Sequence, residues 1–423
     1  MTAYDDPVHE KKQDRYLYQL LAGKTASDIG SFINMVAINL YVYVLTGSAF
    51  LMGLFMAVRL LGSFVAGFYS GVLADRFNRK TMMIVADIAR FVLLMLLVVL
   101  PTEWHVTLVF IVSFGIGVFG SMFNVAFQAS LPVIVGPKNQ VRANALFSMW
   151  GSFAMVIGLV ASGTLLGVVG YLFLFAIDAF TYLISALNLI SLPIKTSESS
   201  GQKGAKQSFL SEVKFILGYL RLWPVLLALM GIRLLDTFGS AAHNVGMPVF
   251  ATQLNPANPS LYMGFIWAVW AVGNFAGSRY MTKNYKANEE SKMERMFGIG
   301  TFLMSLFFIL VFAWDTPYLI LPAAFLAGIS DGVSAICYNM RLQQVPDERR
   351  GRVFGVSSTM VTVGFAVGMV ICSPLFDFYR PVAVVGLLHG IPMVMALVFT
   401  IVFTKRWKGG ALSQETAKTD VTQ

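Results

Sequence analysis

Charge is what this chain has least of. Asp, Glu, Lys and Arg make up 13% of its 423 residues, against ~25% in a soluble domain, which excludes an ordinary water-soluble protein. Cysteine is nearly absent too: Cys337 and Cys372 both fall inside apolar runs, so no disulfide framework is indicated. There is no His/Asp/Glu cluster at metal-ligand spacing and no glycine-rich phosphate loop following a strand. These absences argue against a membrane-embedded enzyme. The chain also lacks a soluble domain of any size, which speaks against ATP-driven transport and against a receptor. The first seventeen or so residues are polar and carry no short apolar core before a small-residue cleavage site, so no removed signal peptide is expected.

What is abundant is apolar sequence. Hydrophobic residues reach 57%, and runs near the ~20 residues that cross a bilayer recur from end to end. Spans are expected at 18–45, 50–74, 81–100, 106–130, 143–168, 170–193, 224–251, 261–281, 296–314, 318–342, 353–376 and 382–404. The net charge of +9 invites a nucleic-acid reading, but the cations sit in loops between apolar runs. With the N-terminus inside, 26 of the 31 Lys and Arg residues fall in inner segments or at the inner ends of spans, and Arg380 alone lies in an outer loop. Positive loops mark the cytoplasmic face, so both termini are expected there.

The expected architecture is an all-α integral membrane protein of twelve transmembrane helices in two six-helix bundles. Residues 1–17 form a cytoplasmic N-terminal segment, 18–193 the first bundle, 194–222 a cytoplasmic linker, 223–404 the second bundle and 405–423 a tail. Within the linker, Phe209, Val213, Ile216, Leu217 and Leu220 share one helical face. That segment reads either as a helix on the membrane surface or as a cytoplasmic start to span seven. The halves echo each other. Val135–Arg142 after span four matches Val345–Arg352 after span ten, and Asp28 before Ile-Gly-Ser matches Asp236 before Thr-Phe-Gly-Ser. Near-equal offsets at equivalent positions support a parallel duplication.

Between spans two and three lies Gly71-Val-Leu-Ala-Asp75-Arg76-Phe-Asn-Arg79-Lys80. It resembles the loop signature of the major facilitator superfamily. Asn78 stands where that family often has glycine, and asparagine tolerates a left-handed turn. The stretches Ser208–Pro224 and Pro346–Gly355 resemble the subgroup containing the enterobactin exporter and the macrolide efflux proteins. The resemblance implies alternating access, with two bundles rocking about a central site lined by spans one, four, seven and ten, usually driven by protons. It implies a small-molecule substrate, the lipid bilayer as surroundings, a multi-pass place in the plasma membrane, no nucleic acid, no cofactor and a functional monomer. It also makes Gly71, Asp75, Arg76, Arg79 and Lys80 a conformational gate motif. Gly67-x-x-x-Gly71 in span two and Gly364-x-x-x-Gly368 in span eleven are small-residue faces that permit close helix contact, and in the resembled fold these spans meet.

Charges inside a membrane are costly and mark functional positions. Lys24 and Asp28 lie one turn apart, with Ser31, Met35 and Asn39 continuing their face. They form either a static ion pair or part of a substrate and proton path. Span seven carries Arg233, Asp236, Ser240, His243 and Asn244, span ten Asp331, Ser334 and Tyr338, and span four Ser121, Asn124 and Gln128. These are the spans that the resemblance assigns to the cavity. Arg233 is a ready partner for Asp236, whereas Asp331 has no cation within one turn and is best suited to pick up a proton. Arg59 either holds an anionic substrate group or pairs with Asp178, the latter favoured. Asp87 and Arg90 sit near the signature loop and are expected to brace it. His243 beside Asn244 reads as a hydrogen-bonded lining residue. Two departures from the family's antiporters stand out: residues 106–137 contain no charge, and Leu159 occupies the place of an expected proline. Proton coupling would then fall to Asp28, Asp236 or Asp331. The leading reading is an exporter of a siderophore or drug. An importer or lipid carrier of the same fold comes next, and a membrane sensor or enzyme last.

Overall fold

The computed structural model describes residues 7–136, 139–193, 218, 223–284 and 290–408. Within them the chain is helical. The long helices are α1 (Pro7–Thr46), α2 (Ala49–Arg76), α3 (Arg79–Val99), α4 (His105–Val135), α5 (Gln140–Val169) and α6 (Tyr171–Ser191), then α7 (Pro224–Leu254), α8 (Pro259–Asn284), α9 (Glu290–Ala313), α10 (Pro317–Gln343), α11 (Asp347–Cys372) and α12 (Pro381–Lys408). A 3-10 turn, Thr102–Trp104, and a single helical turn, Leu375–Phe378, lie between them. Among the described residues eleven stretches are long and apolar enough to cross a membrane; α8 is the long helix outside that set. The linker segment with its amphipathic face lies outside the described residues.

The helix ends follow local chemistry. Gly47, at φ 64°, and Ser48 connect α1 to α2, and the Ser48 hydroxyl accepts the Leu51 amide at 3.3 Å. Gly170 alone, at φ 79°, joins α5 to α6, a conformation that costs glycine least. Proline opens α7, α8, α10 and α12, where its missing N–H would be unpaired in any case. Asn78 corrects an expectation. Its backbone is extended at φ −62°, not left-handed, and its side chain caps α3 by accepting the amides of Lys80 at 2.9 Å and Thr81 at 3.4 Å.

The chain divides into two compact units. The first comprises Met1–Ala205, Val245–Ala268 and Met369–Phe378; the second comprises Lys206–Asn244, Val269–Gly368 and Tyr379–Gln423. In the first, α3 packs on α4 and α6; in the second, α9 packs on α10 and α12, the same neighbours six helices later. The duplication is sharpest at two glycine crossings. A methyl group on Gly62 would strike the Phe114 carbonyl and one on Gly117 the Arg59 carbonyl, so α2 and α4 touch backbone to backbone. Gly273 meets Phe325 and Gly328 meets Trp270 in the same way, joining α8 to α10. The spacing is identical: 328 − 117 and 273 − 62 both give 211. Helices in lipid gain little from hydrophobic association, so such close contact is a main source of cohesion.

The first unit also gathers one end of several helices. The Asp377 carboxylate accepts the Ala49 amide at the start of α2 at 2.9 Å, a favourable place for negative charge. Ser260 donates to the Gly163 carbonyl at 3.2 Å where α5 and α8 cross, and Gly53 lies against Ser373. The glycine stripe of span eleven packs on α7 within its own unit, and that of span two meets little. Gly71 faces open space and Gly67 meets only Ser121 at 3.8 Å, whereas Gly364 packs on Leu234 and Thr237 and Gly368 on Phe238 and Ala241 of α7.

Candidate functional site

Polar side chains within the helices form one constellation in each unit. In the first, Lys24 and Asp28 pair along α1 and are half-buried. One turn deeper the same helix turns its polar groups to α6: Ser31 shares a hydrogen bond with Tyr182 at 3.0 Å, and the Asn34 amide donates to Asp178 at 2.7 Å. Asp178 is fully buried. Arg59 forms no ion pair with it, contrary to the favoured reading. The carboxylate is taken by the nearer Asn34, and Arg59 acts on it only through space. Asn124 and Gln128 lie on the exposed face of α4.

Asp87 and Arg90 pair with each other one turn apart on α3. The guanidinium stacks on Tyr182 at 4.2 Å and on Phe123 at 4.9 Å, tying α3 to α6 and α4. The signature loop braces the bundle further. Arg79 donates to the Ala74 carbonyl at 3.2 Å and to Ala129 of α4 at 2.8 Å, while Lys80 reaches Ile190 at 3.1 Å and Leu192 at 2.6 Å at the end of α6. Two cations thus serve the C-termini of α2 and α6, where carbonyls lack partners and the dipole favours positive charge, and Arg79 also ties in α4. Arg76 is exposed, and the Asp75 side chain lies outside the described residues.

In the second unit Arg233 and Asp236 pair along α7 at 2.9 Å, and Asp236 is buried with one oxygen lacking a hydrogen bond. Asp331 on α10 accepts the Asn274 amide of α8 at 3.0 Å, and Arg233 lies within electrostatic reach of both acids and of Tyr338. Beside Arg233 is a cavity of about 320 Å³ lined by Tyr338, Asn339, Ser357, Ser358 and Thr362 together with apolar side chains of α10 and α11. The Tyr338 and Ser357 hydroxyls bond at 2.6 Å. A guanidinium, hydroxyls and an amide converging in a space of this size suit an oxygen-bearing organic group. Among the described residues no group of three His, Cys, Asp or Glu side chains is placed to hold a metal ion.

His243 is hydrogen-bonded, as expected, and its partner lies on another helix. It is buried, stacked on Phe308 and bonded through Nδ1 to Nε2 of His389 at 3.0 Å, and His389 continues to Ser305 at 3.2 Å. Asn244 bonds its own helix at the Ser240 carbonyl. Sequence reasoning passed over Asn34, Asn274, Glu294 and His389. His389 had a signal: it is the single ionisable residue between 382 and 404. Glu294 pairs with Arg341 at 2.8 Å in a buried bridge from α9 to α10.

Comparison with known proteins adds the following. The family described as the Major Facilitator Superfamily matches residues 20–293 and 291–420. "Enterobactin exporter EntS" of Shigella boydii serotype 4 (strain Sb227) is 26% identical over 351 residues, covering 82% of either chain. The protein of that name from Escherichia coli O81 (strain ED1a) gives the same figures. Among solved structures, the nucleoside transporter NupG aligns over 92% of this chain and 99% of its own, with TM-score 0.66 and 15% identity. A bacterial homologue of the iron transporter ferroportin in an inward-facing state aligns over 92% and 98%, with TM-score 0.64 and 15% identity.

Proposed function

We propose that this chain, which belongs to the Major Facilitator Superfamily, exports a small oxygen-rich molecule of the siderophore class by alternating access, driven by protons. It is a multi-pass membrane transporter and not an enzyme. The exporter relatives, matched over 82% of the chain, support the direction and the substrate class. The observation that carries the reading is the cavity beside Arg233. It offers a cation and several hydroxyls to an anionic or hydroxylated substrate, with the Asp236 and Asp331 carboxylates close to that cation.

In this reading α8 is the twelfth span, because Gly273 and Gly277 bind it to α10. Both termini are cytoplasmic, on the strength of the loop cations, and the protein works as a monomer in the bilayer. Lys24, Asp28, Asn124, Arg233, Asp236, Asp331 and Tyr338 belong to the substrate and proton path, Arg59 is available to an anionic group, and His243 holds α7 in place. Asp75 latches the signature loop when the cytoplasmic side is closed, so Asp75→Asn impairs transport while leaving substrate binding intact.

The test is secretion. A strain that makes enterobactin but lacks its own exporter should release it to the medium when this chain is expressed, and Arg233→Met should abolish the gain. No release from the wild-type chain would defeat the substrate assignment. For coupling, Asp28→Asn, Asp236→Asn and Asp331→Asn are assayed under an imposed pH gradient; full coupled transport in all three would sink proton drive through these acids.

A further inference from the structure

The first unit holds a carboxylate that the transport path described above does not use. We propose that Asp178 is a proton-binding site, formed with Asn34 and Gly30 at the crossing of α1 and α6. It adds to the transport reading and depends on it only for its role in coupling.

The geometry is that of a group built to take up and release a charge. Asp178 has no exposed surface. Its hydrogen-bond donor is neutral, Asn34 Nδ2 at 2.7 Å, and the Thr181 hydroxyl stands 3.5 Å from the carboxylate while donating to the Asp178 backbone carbonyl at 2.7 Å. Two cations face it, Arg59 from α2 and Arg90 from α3, and both act only through space. Arg90 is already bonded to Asp87 and stacked on Tyr182. From α1 the other facing groups are Ser31, bonded to Tyr182, and the Lys24–Asp28 pair, whose members are committed to each other. A buried carboxylate held by a neutral donor is an expensive charge, and a proton removes it.

Asn34 is suited to both forms. Its Nδ2 donates to the ionised acid, and its Oδ1 is buried without a hydrogen-bond partner. Buried acceptors are rarely left so. Half a turn about the last side-chain torsion brings Oδ1 to the position from which it accepts the O–H of the protonated acid, so one amide serves either state. Gly30 gives the acid its seat. A methyl group there would stand 2.7 Å from Asp178 Oδ1 and press on Thr181, so the carboxylate lies directly against the α1 backbone. Proton release would present Arg90 with a second carboxylate besides Asp87, and through the Tyr182 stack it would alter how α3 is held to α6.

The experiment reads the proton and needs no substrate. The full chain is reconstituted in lipid, and infrared difference spectra are recorded across a pH titration, following the C=O stretch of a protonated carboxylic acid and its shift in heavy water. The band should vanish in Asp178→Asn and persist in Asp236→Asn and Asp331→Asn. Asn34→Leu removes the donor to the ionised form and should displace the titration about tenfold in proton concentration; Gly30→Ala should displace it as well. If Asp178→Asn does not fold, the Asn34→Leu and Gly30→Ala shifts decide alone. A band unchanged in Asp178→Asn, or unmoved in both of the other variants, overturns the site. That result would leave export untouched, and failed secretion with an intact band would leave the site standing.

Discussion

Arg90→Met tests whether the first unit depends on its buried ion pair. The substitution keeps an unbranched side chain of similar reach but strips Asp87 of its cation. Asp87 is fully buried, and one of its oxygens already lacks a hydrogen bond. Removing one partner of a buried pair costs about 3–5 kcal/mol, because the remaining charge is uncompensated. Loss of the guanidinium from Tyr182 and Phe123 adds roughly 1 kcal/mol. The expected destabilisation is therefore about 4–6 kcal/mol, a large part of the 5–15 kcal/mol that holds a typical protein folded. The chain supplies its own reporter. Cys372 is buried and belongs to the first unit, so in a Cys337→Ser background a thiol-reactive fluorophore labels the protein when that unit opens. The double variant Asp87→Leu with Arg90→Met removes both charges and should recover most of the loss, ending within about 2 kcal/mol of the parent. A single variant within about 0.5 kcal/mol of the parent, or a double variant no better than the single, would refute the reasoning.

The glycine crossings give a second test. Gly117→Leu and Gly328→Leu should each lower the monodisperse yield in size-exclusion chromatography by forcing helix backbones apart, while Gly120→Leu, which meets nothing within 4 Å, should not. Lys80→Met removes two bonds to the end of α6 and should cost about 1–2 kcal/mol in thermal unfolding, against no more than about 0.5 kcal/mol for the exposed Arg76→Ala. His389→Ala takes a bonded neighbour from both His243 and Ser305. It should cost about 2–4 kcal/mol, read at Cys337 of the second unit in a Cys372→Ser background. Arg233→Lys keeps the charge but loses the planar fork, so transport at low substrate concentration should fall about tenfold.

The helices were legible because their signals are local. Apolar runs end at cationic loops, and the structured ends fall within a few residues of the expected ones at α2 to α6. Elsewhere helix runs beyond the apolar stretch: α1 begins at Pro7 against an expected 18, and the described part of α9 begins at Glu290 against 296, taking in Glu294, which pairs with Arg341 across the helix interface. The same divide runs through the site. Lys24–Asp28, Asp87–Arg90 and Arg233–Asp236 were readable from three- and four-residue spacing. Asn34–Asp178, Asn274–Asp331 and His243–His389 join residues 144, 57 and 146 positions apart, and no periodicity announces them. Arg59 was assigned to Asp178 because charge pairing is the natural guess. An amide on the neighbouring helix took the place.

The one-residue link at Gly170 also bears on how the chain is made. With α6 beginning at Tyr171, immediately after the end of α5 at Val169, there is no slack for one helix to settle in the lipid while the other waits outside. The two should leave the insertion machinery as a hairpin. A glycosylation or epitope tag placed at this turn would then hinder the birth of the protein more than its finished fold, and lengthening the link should slow membrane integration of α6 during synthesis.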